Sequence, residues 1–355
     1  MLLSILQESA GRIATILFAD RYGTALEPEC KRYRLLADIL NDFAFVLDCL
    51  SPGLPKTIRV VVLSFSSVLR ALCGVAAGSA KASLSAHFAQ WGNLGELNAK
   101  DSSQETVISL IGMLAGSVVV SSVTTPMATW TVLILLLAIH LETNRRAVRA
   151  VSMRTLNRQR ASLVYYQLKR GHVPTPKEIS GDERIFERDD ILRNAAGTKI
   201  GYCTVGVPIS MPLKYLALPQ ESSRLSPRMS NDILRTAMSG GGKGHLLMLQ
   251  QGAETLQLFI VIKKDAVAAD IVTAWWHALA FAEETWRTAG AVLVTSYSNE
   301  EVRERLQHTA TVAAQMMDQY QEKLIQAGWD LDVGALETKS STRVAISDAR
   351  RYLNA

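Results

Sequence analysis

The chain has 355 residues, long enough for two domains, with 48% hydrophobic residues and a formal net charge of +5. That charge is too modest for this length to point to nucleic acid, and no nucleic-acid signature accompanies it, so no nucleic-acid partner is expected. The four cysteines, Cys30, Cys49, Cys73 and Cys203, form no CxxC, which argues against a disulfide or metal framework.

The mean hydropathy of +0.12 hides an asymmetry. Residues 1–150 carry the long apolar runs, while 151–355 read as a soluble α/β region. The N-terminus shows no signal-peptide pattern. It opens inside an amphipathic helix (Leu2, Leu3, Ile5 and Leu6 leading to Ile13, Ile16 and Leu17) that should run to about Phe18, with 20–28 as a turn-rich link. That is an unusual place to begin, and it suggests a missing upstream segment.

Cys30–Leu50 reads as a helix, apolar over most of its circumference except for Arg34, Asp38, Asn41 and Asp42. Their spacing puts all four on one face, where Arg34 and Asp38 can pair. Two readings stand: a solvated stripe, or a buried polar cluster on a helix packed in a membrane-associated bundle, where ionisable groups are functional candidates. Ser51-Pro52-Gly53 ends the helix.

Residues 57–80 are long enough to span a bilayer, which takes about 20 residues. Arg70 falls mid-segment, where an unpaired Arg would cost at least about 2.5 kcal/mol, so the segment is either a buried core helix or a span whose Arg70 faces a polar partner. Gly74 and Gly78 form a small-xxx-small pair, and Gly112 and Gly116 repeat it, each suited to close helix packing and to self-association or pairing with a family member.

The polar stretch Asn98, Lys100, Asp101, Ser102, Ser103, Gln104, Glu105 and Thr106 then leads into an apolar hairpin at 107–141, broken by Thr124-Thr125-Pro126. Ser102 and Glu105 have capping-box spacing, with Asp101 favouring the same helix N-terminus. Asn98, Lys100 and Gln104 exceed what a cap requires, and Lys100 and Gln104 are expected to meet the Arg34–Asp42 face. Past Leu141 the charge turns basic with Arg145, Arg146 and Arg149, then Arg154, Arg158, Arg160, Lys169 and Arg170. The first three suit anionic headgroups at a membrane surface.

Residues 171–199 read as a linker and 200–335 as an α+β domain, with a polar tail at 336–355. Strand-length apolar runs occur at 202–209, 245–250 and 256–262, with a Gln-Gly-Ala-Glu turn at 251–254. Amphipathic helices follow at 266–289 and 299–327, then a short strand near 329–333. Their Trp and Met stripes read as core. Ser239-Gly240-Gly241-Gly242-Lys243-Gly244-His245 lacks Walker order and reads as a loop entering a strand. No HExxH, GxSxG or paired-His motif occurs, so no metal ligand, catalytic residue or cofactor is assigned.

Three stretches resemble one family, the root UV-B sensitive family, also described as a vitamin B6 photo-protection and homoeostasis domain. They are Arg34, Ala37, Asp38, Asn41 and Asp42; Gly74 and Gly78 with Asn98, Ala99, Lys100, Asp101, Ser103, Gln104, Glu105 and Thr106; and Asn144-Arg145-Arg146-Ala147-Val148-Arg149. The resemblance covers about residues 8–170. It implies a eukaryotic, mostly helical, membrane-associated protein linked to UV-B sensitivity and vitamin B6 balance, and supplies no catalytic residue. The family's usual upstream part is not matched, which agrees with a missing N-terminal segment.

The fold expected is mostly α: a membrane-associated helical bundle over 1–170, then a smaller α+β domain. The function expected is a non-enzymatic homoeostasis or scaffold role at a membrane. One alternative is a transporter or small-molecule handler with a polar cavity between helices; another is a vitamin-B6-linked enzyme, implied by the family alone.

Overall fold

The computed structural model describes residues 2–89, 92–212, 242–250, 255–289, 299–339 and 341–345. It divides into two compact units, Met1–Val151 and Ser152–Ala355. The mostly helical character and the small mixed sheet of the C-terminal part follow the expected fold class.

The first unit is all helix: α1 (Leu2–Leu26), α2 (Cys30–Leu50), a 3-10 turn at Ser51–Gly53, α3 (Lys56–Phe88), α4 (Leu94–Ser122) and α5 (Pro126–Ala150). α1 runs on to Leu26, through most of the expected link at 20–28, and a turn follows. Gly23 costs a helix only about 1 kcal/mol, and the last turn is held because Ala25 and Leu26 are buried with Tyr33 and Ala37. Phe18 meets Tyr33 edge-on at 6.1 Å. α3 packs mainly on α1 and α2, and α5 mainly on α2.

α4 starts eight residues before the expected capping box, after Asn93 and with no side-chain cap bond. Ser102 and Glu105 therefore lie inside the helix and cap nothing. The residues preceding them, Leu94 to Lys100, are mostly good helix formers, and Lys100 reaches back to Glu96 at 2.6 Å, an i,i+4 pair that favours helix. Thr125 caps α5 by accepting from the Ala128 amide at 3.2 Å, with Pro126 at the first helical position.

The second unit contains α6 (Arg158–Lys169), α7 (Pro176–Asp182), β1 (Ile191–Arg193), β2 (Lys199–Val205), β3 (His245–Leu249), β4 (Gln257–Lys263), α8 (Ala268–Ala289), α9 (Asn299–Gln326) and β5 (Arg343–Val344). β4 is central: β3 pairs antiparallel on one side, and β2 and β5 pair parallel along the other, with β1 antiparallel beyond β2. At the end of β2, Gly206 has φ +75, and a Cβ there would stand 2.5 Å from Ser341, so the turn demands glycine.

The expected linker 171–199 holds structure. Thr175 and Glu178 form a reciprocal capping box at α7, and Ile179 and Leu192 enter the core. The capping-box signature lies there. Near 329–333 only an isolated bridge, Asp330 to Thr155, stands where a strand was expected. The turn expected at 251–254 and the glycine run before Gly242 lie outside the described residues.

α8, expected to bury one side, is buried nearly all round. Trp275 and Trp276 are fully enclosed, their indole N–H groups donating to Ser162 Oγ at 2.8 Å and to the Ala161 carbonyl at 2.9 Å. Both α6 arginines, read from sequence as part of a basic run, are buried instead: Arg158 pairs with Asp190, and Arg160 pairs with Glu183 at 3.1 Å. A buried guanidinium survives only with such a partner.

Candidate functional site

Polar groups in the first unit gather in three places. The first is the seam between α2 and α5. Arg34 Nη1 donates to Asp38 Oδ1 at 2.7 Å, one turn along α2. One turn further, Asp42 faces His140 of α5, whose Nδ1 stands 3.0 Å from Oδ2 in hydrogen-bonding geometry and 2.9 Å from Oδ1 outside it. The Asp38 and Asp42 side chains are only 9% and 7% exposed, which makes them the enclosed part of the line read from the sequence. Asn41 is half-buried beside them. Burial pushes the Asp38 carboxyl above its ordinary value, against the opposing pull of Arg34.

The second place answers the question posed by Arg70. On α3, Arg70 pairs with Asp48 of α2 and lies over the Phe45 ring at 4.7 Å. Ser66, one turn earlier on α3, donates to Asp48 Oδ1 at 2.6 Å. The mid-segment arginine is thus matched across the helix pair, with α2 supplying the carboxylate.

The third lies between α3 and α4. Lys81 Nζ stands 2.9 Å from Asp101 and 2.7 Å from Glu105. Lys100 pairs with Glu96 on its own helix, and Asn98 and Gln104 are exposed. The expected meeting of Lys100 and Gln104 with the Arg34–Asp42 face therefore does not occur. Residues of α4 at these positions meet α3, whereas α2 meets α5.

His140, Asp48 and Lys81 complete these clusters, and sequence reasoning missed all three. A histidine 98 residues from its partner leaves no local spacing to read. Gly74, Gly78, Gly112 and Gly116 are open, since a Cβ on any of them would meet nothing within 4 Å. Among the described glycines of the first unit, a close helix approach is at Gly11, where a Cβ would lie 3.4 Å from Ala71. Glu142 holds both Arg145 and Arg146 at 2.7 Å, while Arg149 is exposed.

In the second unit two histidines pair out of water's reach. His277 Nε2 stands 3.0 Å from the Leu306 carbonyl, so it must carry the proton, which leaves Nδ1 to accept from His245 Nε2 at 3.0 Å. Burial pushes His277 down to about 4 and His245 well below its ordinary value. Among the described residues no group of three His, Cys, Asp or Glu could hold a metal ion.

The sequence profile described as the vitamin B6 photo-protection and homoeostasis domain matches residues 1–171. RUS family member 1 of Dictyostelium discoideum is 40% identical over 188 residues, covering 51% of this chain and 36% of that protein. Protein root UVB sensitive 3 of Arabidopsis thaliana is 30% identical over 285 residues, covering 78% of this chain and 60% of that protein. Protein root UVB sensitive 2, chloroplastic, of the same plant is 28% identical, covering 52% and 43%. The chain thus spans less than two thirds of the length of each. No solved structure matches. Residues 1–171, which hold all three polar clusters, match the vitamin B6 photo-protection and homoeostasis domain, and the relatives they resemble are root UV-B sensitive (RUS) family proteins.

Proposed function

We propose that this chain works in a membrane, held there by α3, α4 and α5, as a non-enzymatic factor in the UV-B response after which its relatives are named and in the vitamin B6 homoeostasis after which the matching domain is described. The observation that carries the membrane reading is the state of these helices. Each contains an 18-residue window of mean hydropathy 2.0, 1.6 and 1.5 respectively, and the share of that window buried is 17%, 0% and 0%. Apolar surface on this scale exceeds the few-hundred-Å² patches that soluble monomers tolerate. Arg145, Arg146 and Arg149 lie at the C-terminal end of α5, where positive charge suits anionic headgroups. The open glycine faces of α3 and α4 leave room for a second copy or a family member.

Alkaline extraction of membranes from cells expressing the full chain tests this reading. Retention in the pellet is the expected result; quantitative release into the supernatant overturns it.

A second reading, a transporter or small-molecule handler, is favoured by one observation: two carboxylates, Asp38 and Asp42, enclosed at the α2–α5 seam. Ionisable groups kept inside a membrane bundle are costly, and function is the usual reason for them.

A further inference from the structure

The α2–α5 seam contains an imbalance. Asp38 accepts from Arg34 at Oδ1, while its Oδ2 is buried with no hydrogen-bond partner. Asp42 accepts from His140 at Oδ2, and its Oδ1 is likewise buried without one. An ionised carboxylate oxygen left bare in a buried site is destabilising, because its lost hydration is not replaced. Residues four apart on a helix are neighbours on one face, so the two bare oxygens belong to adjacent carboxylates. Two acceptors side by side need a donor: Asp38 Oδ2 has none, and Asp42 Oδ1 has only the misaligned His140 Nδ1 at 2.9 Å.

The other neighbours do not supply one. On α3, Cys73 is electrostatically coupled to Asp38 and Asp42, while Arg70 is committed to Asp48. α1 meets α2 through Phe18, Ala25 and Leu26 against Tyr33 and Ala37. Arg34 offers one positive charge against two carboxylates. A metal ion is a poor fit, because the described residues gather no set of three ligands.

We propose that Asp38 and Asp42 are a proton-binding carboxyl pair, with one proton held between Asp38 Oδ2 and Asp42 Oδ1. Binding forms one O–H bond on Asp38 with a proton taken from solvent, and no electrons change hands. The row then reads Arg34 to Asp38, Asp38 to Asp42, and His140 to Asp42, with every donor matched by an acceptor. Paired carboxyls that share a proton titrate as a unit, one of them far above the ordinary range. The inference deepens the small-molecule-handling reading by naming a proton as what the site binds.

The test is infrared titration of the full chain in detergent micelles, following the C=O band of protonated carboxyl groups. Free aspartates ionise near pH 4. The wild type should keep a protonated-carboxyl band at neutral pH, bleaching only at higher pH. Asp38→Asn should abolish the band, and Asp42→Asn should lower its midpoint by about one pH unit or more. The exposed Asp101→Asn should leave it unchanged. A wild-type spectrum without the band at neutral pH overturns the proposal even if no variant folds, and so does a midpoint that ignores Asp42→Asn. Detergent micelles make this outcome independent of membrane retention, so a released protein that shows the band overturns the membrane reading alone.

Discussion

His140 and Asp42 are 98 residues apart in the chain, and their side chains stand 3.0 Å apart. This is the polar tie between α2 and α5, and one end of it is buried. His140→Ala removes the partner of an enclosed carboxylate and should destabilise the first unit by roughly 1–3 kcal/mol. His140→Gln, which keeps an N–H donor, should lose less. Thermal unfolding followed by circular dichroism in detergent distinguishes them; equal loss from both would deny the tie.

Asp48 and Arg70 form the second link, and here the apolar surroundings decide the outcome. Asp48→Ala leaves Arg70 unmatched inside a candidate span, at a cost of about 2.5 kcal/mol to insertion. Adding Arg70→Leu removes the stranded charge, so the double variant should insert better than Asp48→Ala alone. A glycosylation-site insertion assay on α3 in the full chain reads the ratio directly.

Acid should unfold the second unit through His277. In the folded unit this histidine is pushed down to about 4, and in the unfolded chain it has the ordinary value near 6.5. Between those values the unfolded state binds the extra proton. Stability is therefore fully present above about pH 6.5 and falls as pH drops toward 4, by a few kcal/mol in total. Urea unfolding monitored by tryptophan fluorescence, which reports on Trp275 and Trp276, should show the midpoint falling across that window. The His277→Asn variant should reduce the dependence, leaving the part that His245 contributes.

Glycine substitutions separate packing within the chain from packing outside it. Gly112→Ala and Gly116→Ala on α4 meet nothing within 4 Å. They should leave unfolding unchanged or raise stability by up to about 1 kcal/mol each. Gly11→Leu, aimed at Ala71 and Ser67 of α3, should lower it. If the α4 substitutions instead break a cross-linkable dimer in membranes, the open face has found its partner.

Local chemistry was legible wherever a single helix carries the whole pattern. Cys30–Leu50 is the helix its periodicity predicts, with Arg34 and Asp38 paired one turn apart. The break at Thr124-Thr125-Pro126 starts α5 through Thr125 and Pro126. The capping-box spacing of Ser102 and Glu105 misled because spacing is only necessary: a cap also needs non-helical backbone before it, and Leu94–Lys100 is helical. The arginines of α6 misled in the same way, since sequence shows their charge but not Asp190 and Glu183, brought to them by later segments of the chain.

The sequence by itself determined most of the helices, the strand-length runs of β2, β3 and β4 and the family signature, because these depend on residues within a few turns of one another. Tertiary structure alone decided the partners. It turned Lys100 onto Glu96, gave Asp101 and Glu105 to Lys81, and set His140 against Asp42. Which helix packs on which is a sum of many weak apolar contacts spread along the chain, and no short motif encodes that sum. Burial is a property of the same packing, so only the fold could show that Asp38 and Asp42 are enclosed with an oxygen each left bare.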